Sequence, residues 1–507
     1  MRKKLWDVYF QNIHPVFPIL DHAEIVQAIK SKSGASQISL LLFHSIILVV
    51  QLFLGMDNND RRKRDALHLI FEKARVLYDL GIENDQMANM QSTLLMTLYP
   101  QAPNSHKGQA YWLSQAVSIA FTLGLQREPT QRDFSMRCRS VRKQLWWCLY
   151  IRERMTVLDL GLPSLIDELG HDVQMLTSDD FILAPLQLSL DEQSFGGFAS
   201  ESENIQRQLG LLFIEKAKLA IILSRLPTIS TTSYEWGDRS VKTQWPRFQG
   251  QPPDLNLLRE TAKKLKQWRA GLPLEVLSNR WRLVNNGSKG KDSRTITPLY
   301  KHCAMLFLTY RLAVHHLASL RWLTVNCLST ESSENAARSL RDATLEVIYI
   351  GQELLGRQTK GYVGFLQPSI IRPLLLSVVL NERSPNLMST DITNSFHSVL
   401  QKIGNRDPFY LQAYSYLECG IIGSGASRPP HSPVSDYSMG STESEPPSFP
   451  NVFDAILGYM DMNIDALEPQ FPNLSRATDS ANGVNSLGSP FIVEEINEDE
   501  VFKVFFL

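Results

Sequence analysis

The sequence predicts an all-α protein: one large helical domain, or two packed helical lobes, followed by a disordered acidic tail. Three observations carry this. Apolar residues recur at helical spacing wherever a period can be read, no series of alternating strands with hairpin turns appears, and the composition changes abruptly at Gly423.

The elements follow in order. Leu5 to Leu20 opens as an amphipathic helix ended by Pro15 and Pro18. Ile38 to Leu54 is uncharged for 17 residues, short of the roughly 20 apolar residues of a membrane span and interrupted by Ser39, His44, Ser45 and Gln51. It reads as a core helix, with no membrane partner. Leu67, Ile70, Ala74, Leu77 and Tyr78 form the next stripe, stopped at Gly81; Met87, Met90, Leu94 and Leu98 form another, halted by Pro100. Leu113 to Phe121 makes a helix closed by Gly124, and Val141 to Met155 one closed near Gly161-Leu162-Pro163. Leu209 to Leu223, Leu255 to Trp268, Leu299 to Val314, Ala336 to Leu355 and Pro368 to Leu380 supply the rest. Irregular connections are expected near 228–253 and 285–293. The expected units are therefore 1–184, 185–422 and the tail, 423–507.

Composition sets limits on function. Of 507 residues, 43% are hydrophobic and 20% charged, an ordinary globular mixture. Lys plus Arg is 51 against 52 Asp plus Glu, which does not suit a basic coat on nucleic acid. The balance is uneven, because the chain from Gly425 onward holds 3 basic and 13 acidic residues. Five cysteines with no C-x-x-C exclude a disulfide framework and a thiolate zinc site within the chain, so no cofactor is expected there.

Catalytic signatures are missing. No phosphate-binding G-x-x-x-x-G-K-[ST], no dinucleotide G-x-G-x-x-G after a strand, no G-x-S-x-G and no H-E-x-x-H occurs. His315 and His316 are adjacent, which on a helix points their rings about 100° apart and suits a satisfied core histidine better than a metal pair. Asp179-Asp180 begins a magnesium-binding D-D-x-x-D, but Leu183 stands where the third carboxylate belongs. Thr177-Ser178 before the pair reads as a helix cap. The run Arg61-Arg62-Lys63-Arg64 reads as a solvated helix face or a nuclear import tag.

Several motifs in sequence order resemble the fungal-specific transcription factor domain, the helical middle region of fungal zinc-cluster regulators. The opening Leu5-Trp6-Asp7-Val8-Tyr9-Phe10 through Leu20 is similar to its start. Ala116 to Pro129 resembles its helix and L-G-L-x-R-x-P exit, and Arg139 to Arg154 its R-R-x-x-W-W-x-x-Y-x-x-D-R helix. Gly161-Leu162-Pro163 and Asp172-Val173-Gln174 fall where the family has G-R-P and D-V-P, with Leu162 and Gln174 as departures. The run on to Phe181 is similar to the cutinase transcription factor 1 beta group, and Leu265 to Pro273 resembles L-x-x-W-x-x-x-L-P.

The resemblance implies a non-enzymatic, nuclear regulator of a metabolic or secondary-metabolite gene set. Arg142, Trp146, Trp147, Tyr150, Arg152, Arg154, Gly161, Pro163, Asp172 and Trp268 become its architectural or effector-pocket residues. The arginines are expected to snorkel or to pair with acids such as Asp159 or Asp172. Implied partners are promoter DNA, touched directly or through a partner regulator, a small-molecule effector and a dimer mate. Zinc enters only with a six-cysteine cluster upstream, and the similarity beginning within ten residues of Met1 leads to the expectation that this chain carries none. In the tail, 452–467 and 491–507 mix acids with Phe453, Ile456, Leu457, Tyr459, Met460, Phe502, Phe505 and Phe506. Such segments suit binding to a transcription coactivator, or docking back on the protein's own body. Rival readings are a regulator with no DNA reader of its own, acting through a partner zinc-cluster protein, and an all-helical enzyme or ligand-binding protein.

Overall fold

Leu5, Trp6, Tyr9, Phe10 and Ile13 occupy one stripe at helical spacing, and in the computed structural model all five are buried. Helix α1 (Arg2–Val8) runs into a wider π-turn over Tyr9–Ile13, where the His14 amide donates to the Tyr9 carbonyl at 2.9 Å. The prolines expected to end the helix follow at once. The structure describes residues 2–22, 38–55, 61–99, 107–181, 203–234, 241–248, 253–273, 293–328 and 333–356, with 24, 25, 28 and 276. The expected helix at 368–380, the connection at 285–293 and the whole tail, with its two candidate activation segments, lie outside them.

The apolar stretch after Ser39 forms α2 (Leu40–Gly55), its first turn capped by the Ser39 hydroxyl accepting from the Leu42 amide at 3.3 Å. It is a core helix: Ile46, Leu48, Val49 and Val50 are fully buried, and Ser45 satisfies its hydroxyl on the Leu41 carbonyl. It packs on α3 (Arg61–Asp79) and α4 (Gln86–Met96). Helix α5 (Gln109–Thr122) lies on α4 and ends at Gly124, whose φ of +67° lets the Leu125 amide turn back to the Ala120 carbonyl at 3.0 Å.

Helix α6 (Met136–Leu160) follows, capped by the Ser135 hydroxyl accepting from the Cys138 amide. From Gln144 to Val157 it is buried on nearly every side, Met155 alone being partly exposed. It packs between α5 and α7 (Glu203–Leu223). A short 3₁₀ turn at Ser178–Asp180 touches both α6 and α7.

The stretch expected to be an irregular connection at 228–253 instead holds an antiparallel hairpin, β1 (Ile229–Tyr234) with β2 (Val241–Phe248). Its register runs Tyr234↔Val241 to Thr232↔Thr243, then shifts before Ser230↔Arg247. Pro246, with no amide to donate, falls within that irregularity. The other described elements are helical, so the fold is all-α with one hairpin.

Helix α8 (Leu255–Ala270) is capped by Asp254 and closed at Gly271, and presents Leu258, Leu265 and Trp268 inward while Lys263 and Lys266 stay wet. Helices α9 (Ser293–Leu328) and α10 (Ser333–Gly356) pair along their length, and α9 also packs on α7 and α8. Within α9, His302–Val325 is long and apolar enough to cross a membrane, but 78% of it is buried in this helical core. Inside α9, His316 lies against the Pro227 carbonyl at 2.9 Å and His315 is wholly buried.

Candidate functional site

Helix α6 positions the site because its buried middle carries charge. Glu153 is 0% and Arg154 3% exposed. Each finds partners in the chain that returns after Gly161, which caps α6 at φ +63° while the Gly161 and Leu162 amides both donate to the Val157 carbonyl. Glu153 Oε1 accepts the Ser164 hydroxyl at 2.8 Å and the Leu165 amide at 2.6 Å. One terminal nitrogen of Arg154 donates to the Ser164 hydroxyl and stands 3.4 Å from Glu153 Oε2. The other donates to the Ile166 carbonyl at 2.6 Å and to Glu168 Oε1 at 3.1 Å. The Tyr150 hydroxyl donates to the same Glu168 oxygen at 2.5 Å, and burial pushes its pKa up to about 12 against the opposing charge of Arg154. Arg154 also lies over the Tyr150 ring, 4.8 Å from its centre.

Above this network sits His171. Trp146, Trp147 and Tyr150 surround its imidazole at ring-centre distances of 5.3, 6.0 and 5.5 Å. Burial lowers its pKa, Glu168 opposes the shift, and Arg154 adds to it. Trp146 also meets Phe121 of α5, and Trp147 donates its indole N–H to the Gln174 carbonyl at 3.0 Å.

The remaining motif residues join neighbouring segments. Asp172 Oδ1 accepts the Glu128 amide at 2.7 Å and Oδ2 lies 3.4 Å from Arg127, while the Gln174 amide donates to Glu128 Oε2 at 2.8 Å. The exit of α5 and the loop after α6 are thus stitched together. The last of these bonds needs an N–H that the proline of D-V-P could not supply. Arg142 donates to the Leu123 carbonyl at 2.7 Å and covers the Phe134 ring. Trp268 donates to the Glu215 carbonyl at 3.1 Å and stacks on Tyr310. Pro163 lines a cavity of about 180 Å³ between the ends of α6 and α7, with Arg154, Ser224 and Thr228.

Of the two acids the sequence offers, Asp159 acts on the charge of Arg152 and Asp172 pairs with Arg127. Arg154 uses Glu153 and Glu168, acids too close in sequence or too far round the loop to be singled out by spacing. Arg152, 8% exposed, places Nε 3.0 Å from the Thr97 hydroxyl and one terminal nitrogen 2.5 Å from the Thr97 carbonyl. Glu168, His171 and Lys216 carry much of the site's polar character and belong to no sequence motif, while Glu153 stands at the acidic position of the R-R-x-x-W-W-x-x-Y-x-x-D-R helix.

Arg152 and Lys216 of α7 line a second cavity, of about 60 Å³, where the π-turn, α6, α7 and α9 converge. Its other walls are mainly apolar, including Ile13, Val16, Leu98, Ile151 and Phe213. Burial, with the Arg152 charge beside it, brings the Lys216 pKa down to about 8.

The described residues do not fit a zinc cluster: no group of three His, Cys, Asp or Glu side chains comes together among them, and Cys148 and Cys303 are buried. Nor does Asp180 have free oxygens for a magnesium ion. Its carboxylate accepts the Ser140 hydroxyl at 2.9 Å, the Lys143 ammonium at 3.2 Å and the Thr177 amide at 2.8 Å, the last within a capping box.

The fungal specific transcription factor domain family matches residues 6–270. Cutinase transcription factor 1 beta of Fusarium vanettenii is 27% identical over 231 residues, 45% of this chain and 26% of that protein. Transcription factor cpaR of Aspergillus oryzae is 26% identical over 392 residues, 73% of this chain and 62% of that protein. The acetamidase regulatory protein of Aspergillus fumigatus is 30% identical over 186 residues, 35% of this chain and 23% of that protein. The chain thus spans less than two thirds of the length of each. No solved structure matches it. The family match starts at Trp6 in α1, takes in the whole α6 network and ends where α8 ends, more than half of the sequence, and the chain belongs to the fungal specific transcription factor domain family.

Proposed function

We propose that this chain is the regulatory part of a nuclear transcription regulator of fungal metabolic genes, its helical body sensing an effector and its acidic tail recruiting the transcription machinery. One observation carries the reading: the family match takes in α6 and α7, whose junction with α9 beyond it holds a cavity with two cations. A ligand there touches helices on both sides of the α6–α7 contact and can bias their packing. Relatives named as cutinase and acetamidase regulators support control of metabolic enzymes. DNA contact is made by a zinc cluster joined to this region or carried by a partner protein. The tail acts through 452–467 and 491–507, where bulky apolar residues are interspersed with acids.

The test tethers the full chain to a heterologous DNA-binding module upstream of a reporter. Removing Val452 to Leu507 is expected to abolish activation. Unchanged output overturns the role assigned to the tail.

A further inference from the structure

The cavity shared by Arg152 and Lys216 is lined by no carboxylate. Arg152 spends Nε and one terminal nitrogen on Thr97, which leaves its second terminal nitrogen without a partner among the described residues. Lys216 has no carboxylate within ion-pair reach among them either. Two like charges facing one space repel each other, and no carboxylate on its wall offsets them. Asp159 offsets part of the cost at Arg152, whose pKa burial still lowers to about 10. The Cys148 thiol, also on the wall, is pushed well above its ordinary pKa by burial and stays neutral. At neutral pH both cations therefore remain charged around a space whose wall holds no carboxylate.

The rest of the wall narrows the choice of anion. Thr309 returns its hydroxyl to the Met305 carbonyl, Asn12 donates its side-chain amide to the Val8 carbonyl at 3.1 Å, and the remaining surface is mostly aliphatic, thioether or aromatic. A phosphate would bring oxygens that these walls cannot solvate. A carboxylate on a short alkyl chain matches both halves, since a guanidinium with a neighbouring ammonium suits two carboxylate oxygens and the chain takes the apolar side. At about 60 Å³ the space suits a molecule the size of a few waters.

We infer that this cavity binds a small aliphatic monocarboxylate, its oxygens held between Arg152 and Lys216 and its chain against Leu98, Ile151, Met155 and Phe213. The inference deepens the regulatory reading and rests on it for the ligand's role as effector. The bound acid joins the π-turn and α6 to α7 and α9.

Calorimetric titration of the purified full chain with sodium acetate, butyrate and octanoate, against chloride and phosphate at matched ionic strength, tests it. Affinity is expected to rise about fourfold per added methylene from acetate to butyrate, and neither inorganic anion competes. Lys216→Met is expected to weaken butyrate at least tenfold while its melting temperature without ligand holds or rises, because an unpaired cation has been removed. Arg152→Lys, which keeps the charge but loses the fork, is expected to weaken butyrate while still binding it. Butyrate binding no better than chloride, or unaltered by Lys216→Met, overturns the inference. Reporter activity of the tethered chain without added acid separates the two readings. An active chain that binds no butyrate overturns this site alone, and an inert chain that binds it overturns the regulatory reading alone.

Discussion

Tyr150 and Arg154 converge on one oxygen of Glu168, the phenol at 2.5 Å and the guanidinium at 3.1 Å. The pair lies one helical turn apart on α6, so a single carboxylate from the returning loop fixes that loop's height along the helix. Tyr150→Phe removes one of the two bonds and keeps the ring against Trp147 and His171. The expected loss is about 1.5 kcal/mol, the low end for a hydrogen bond to a charged group because Glu168 is partly exposed. Urea unfolding of the variant measures it, and an unchanged midpoint would show that Arg154 alone holds the loop.

Glu153 is the more expensive residue to remove. Glu153→Ala strips the Ser164 hydroxyl and the Leu165 amide of their acceptor and leaves the buried Arg154 with one carboxylate fewer. The expected cost is about 3 kcal/mol. Glu153→Gln keeps a carbonyl oxygen for both donors and is expected to cost about half as much. The order of the two variants in denaturant midpoint checks the geometry, and equal costs would contradict it.

Gly161→Ala places a side chain in the left-handed region at φ +63°. The expected cost is about 1 to 2 kcal/mol, felt chiefly as a looser start to the loop that carries Ser164 and Glu168. Hydrogen exchange at the Leu165 amide, which donates to Glu153, is expected to accelerate. Protection equal to that of the unaltered chain would mean that the network holds the loop without its cap.

His14 and His315 are both buried, and burial is the leading cause that lowers each pKa to about 3, helped by His22 and His316 respectively. In the unfolded chain each takes up a proton near pH 6.5. Between these limits the unfolded state binds more protons, so stability falls as the pH drops, by up to about 1.4 kcal/mol per pH unit for each histidine. Unfolding followed from pH 6.5 to 5, above most carboxylate titration, is expected to show this slope. His315→Gln is expected to remove one proton's share of it, and an unchanged slope would contradict the burial of that imidazole.

Most helices were legible in the sequence because they bury an apolar stripe and stop at a residue with a reason to stop, whereas the middle of α6 is buried on nearly every side. Gly81, Gly124 and Gly161 all adopt positive φ at helix ends. The hairpin at 229–248 was hidden because Ser and Thr fill β1, while β2 mixes Lys, Gln, Arg and Pro among Val241, Trp245 and Phe248, so no clean period of two shows. Helix α6 announced itself by Trp146, Trp147 and the arginines, and Glu153 sits at the acidic position of that motif, yet nothing in the spacing showed what it holds. The partners that explain it, Ser164 and the Leu165 amide, sit across a loop that no spacing rule reaches. Lys216 was equally silent, since one lysine in an amphipathic helix ordinarily faces water. What sets it apart is Arg152, 64 positions earlier, and only the packing of α6 on α7 brings the two to one cavity.

The measurement that bears most directly on the whole is a dose response of the tethered full chain to sodium butyrate, read on the reporter for the unaltered chain and for Lys216→Met side by side. Output from the unaltered chain is expected to change with butyrate in the range where calorimetry finds binding, while Lys216→Met stays flat at its starting level. A response identical in the two chains would contradict the assignment of that cavity as the point where a small acid controls the regulator.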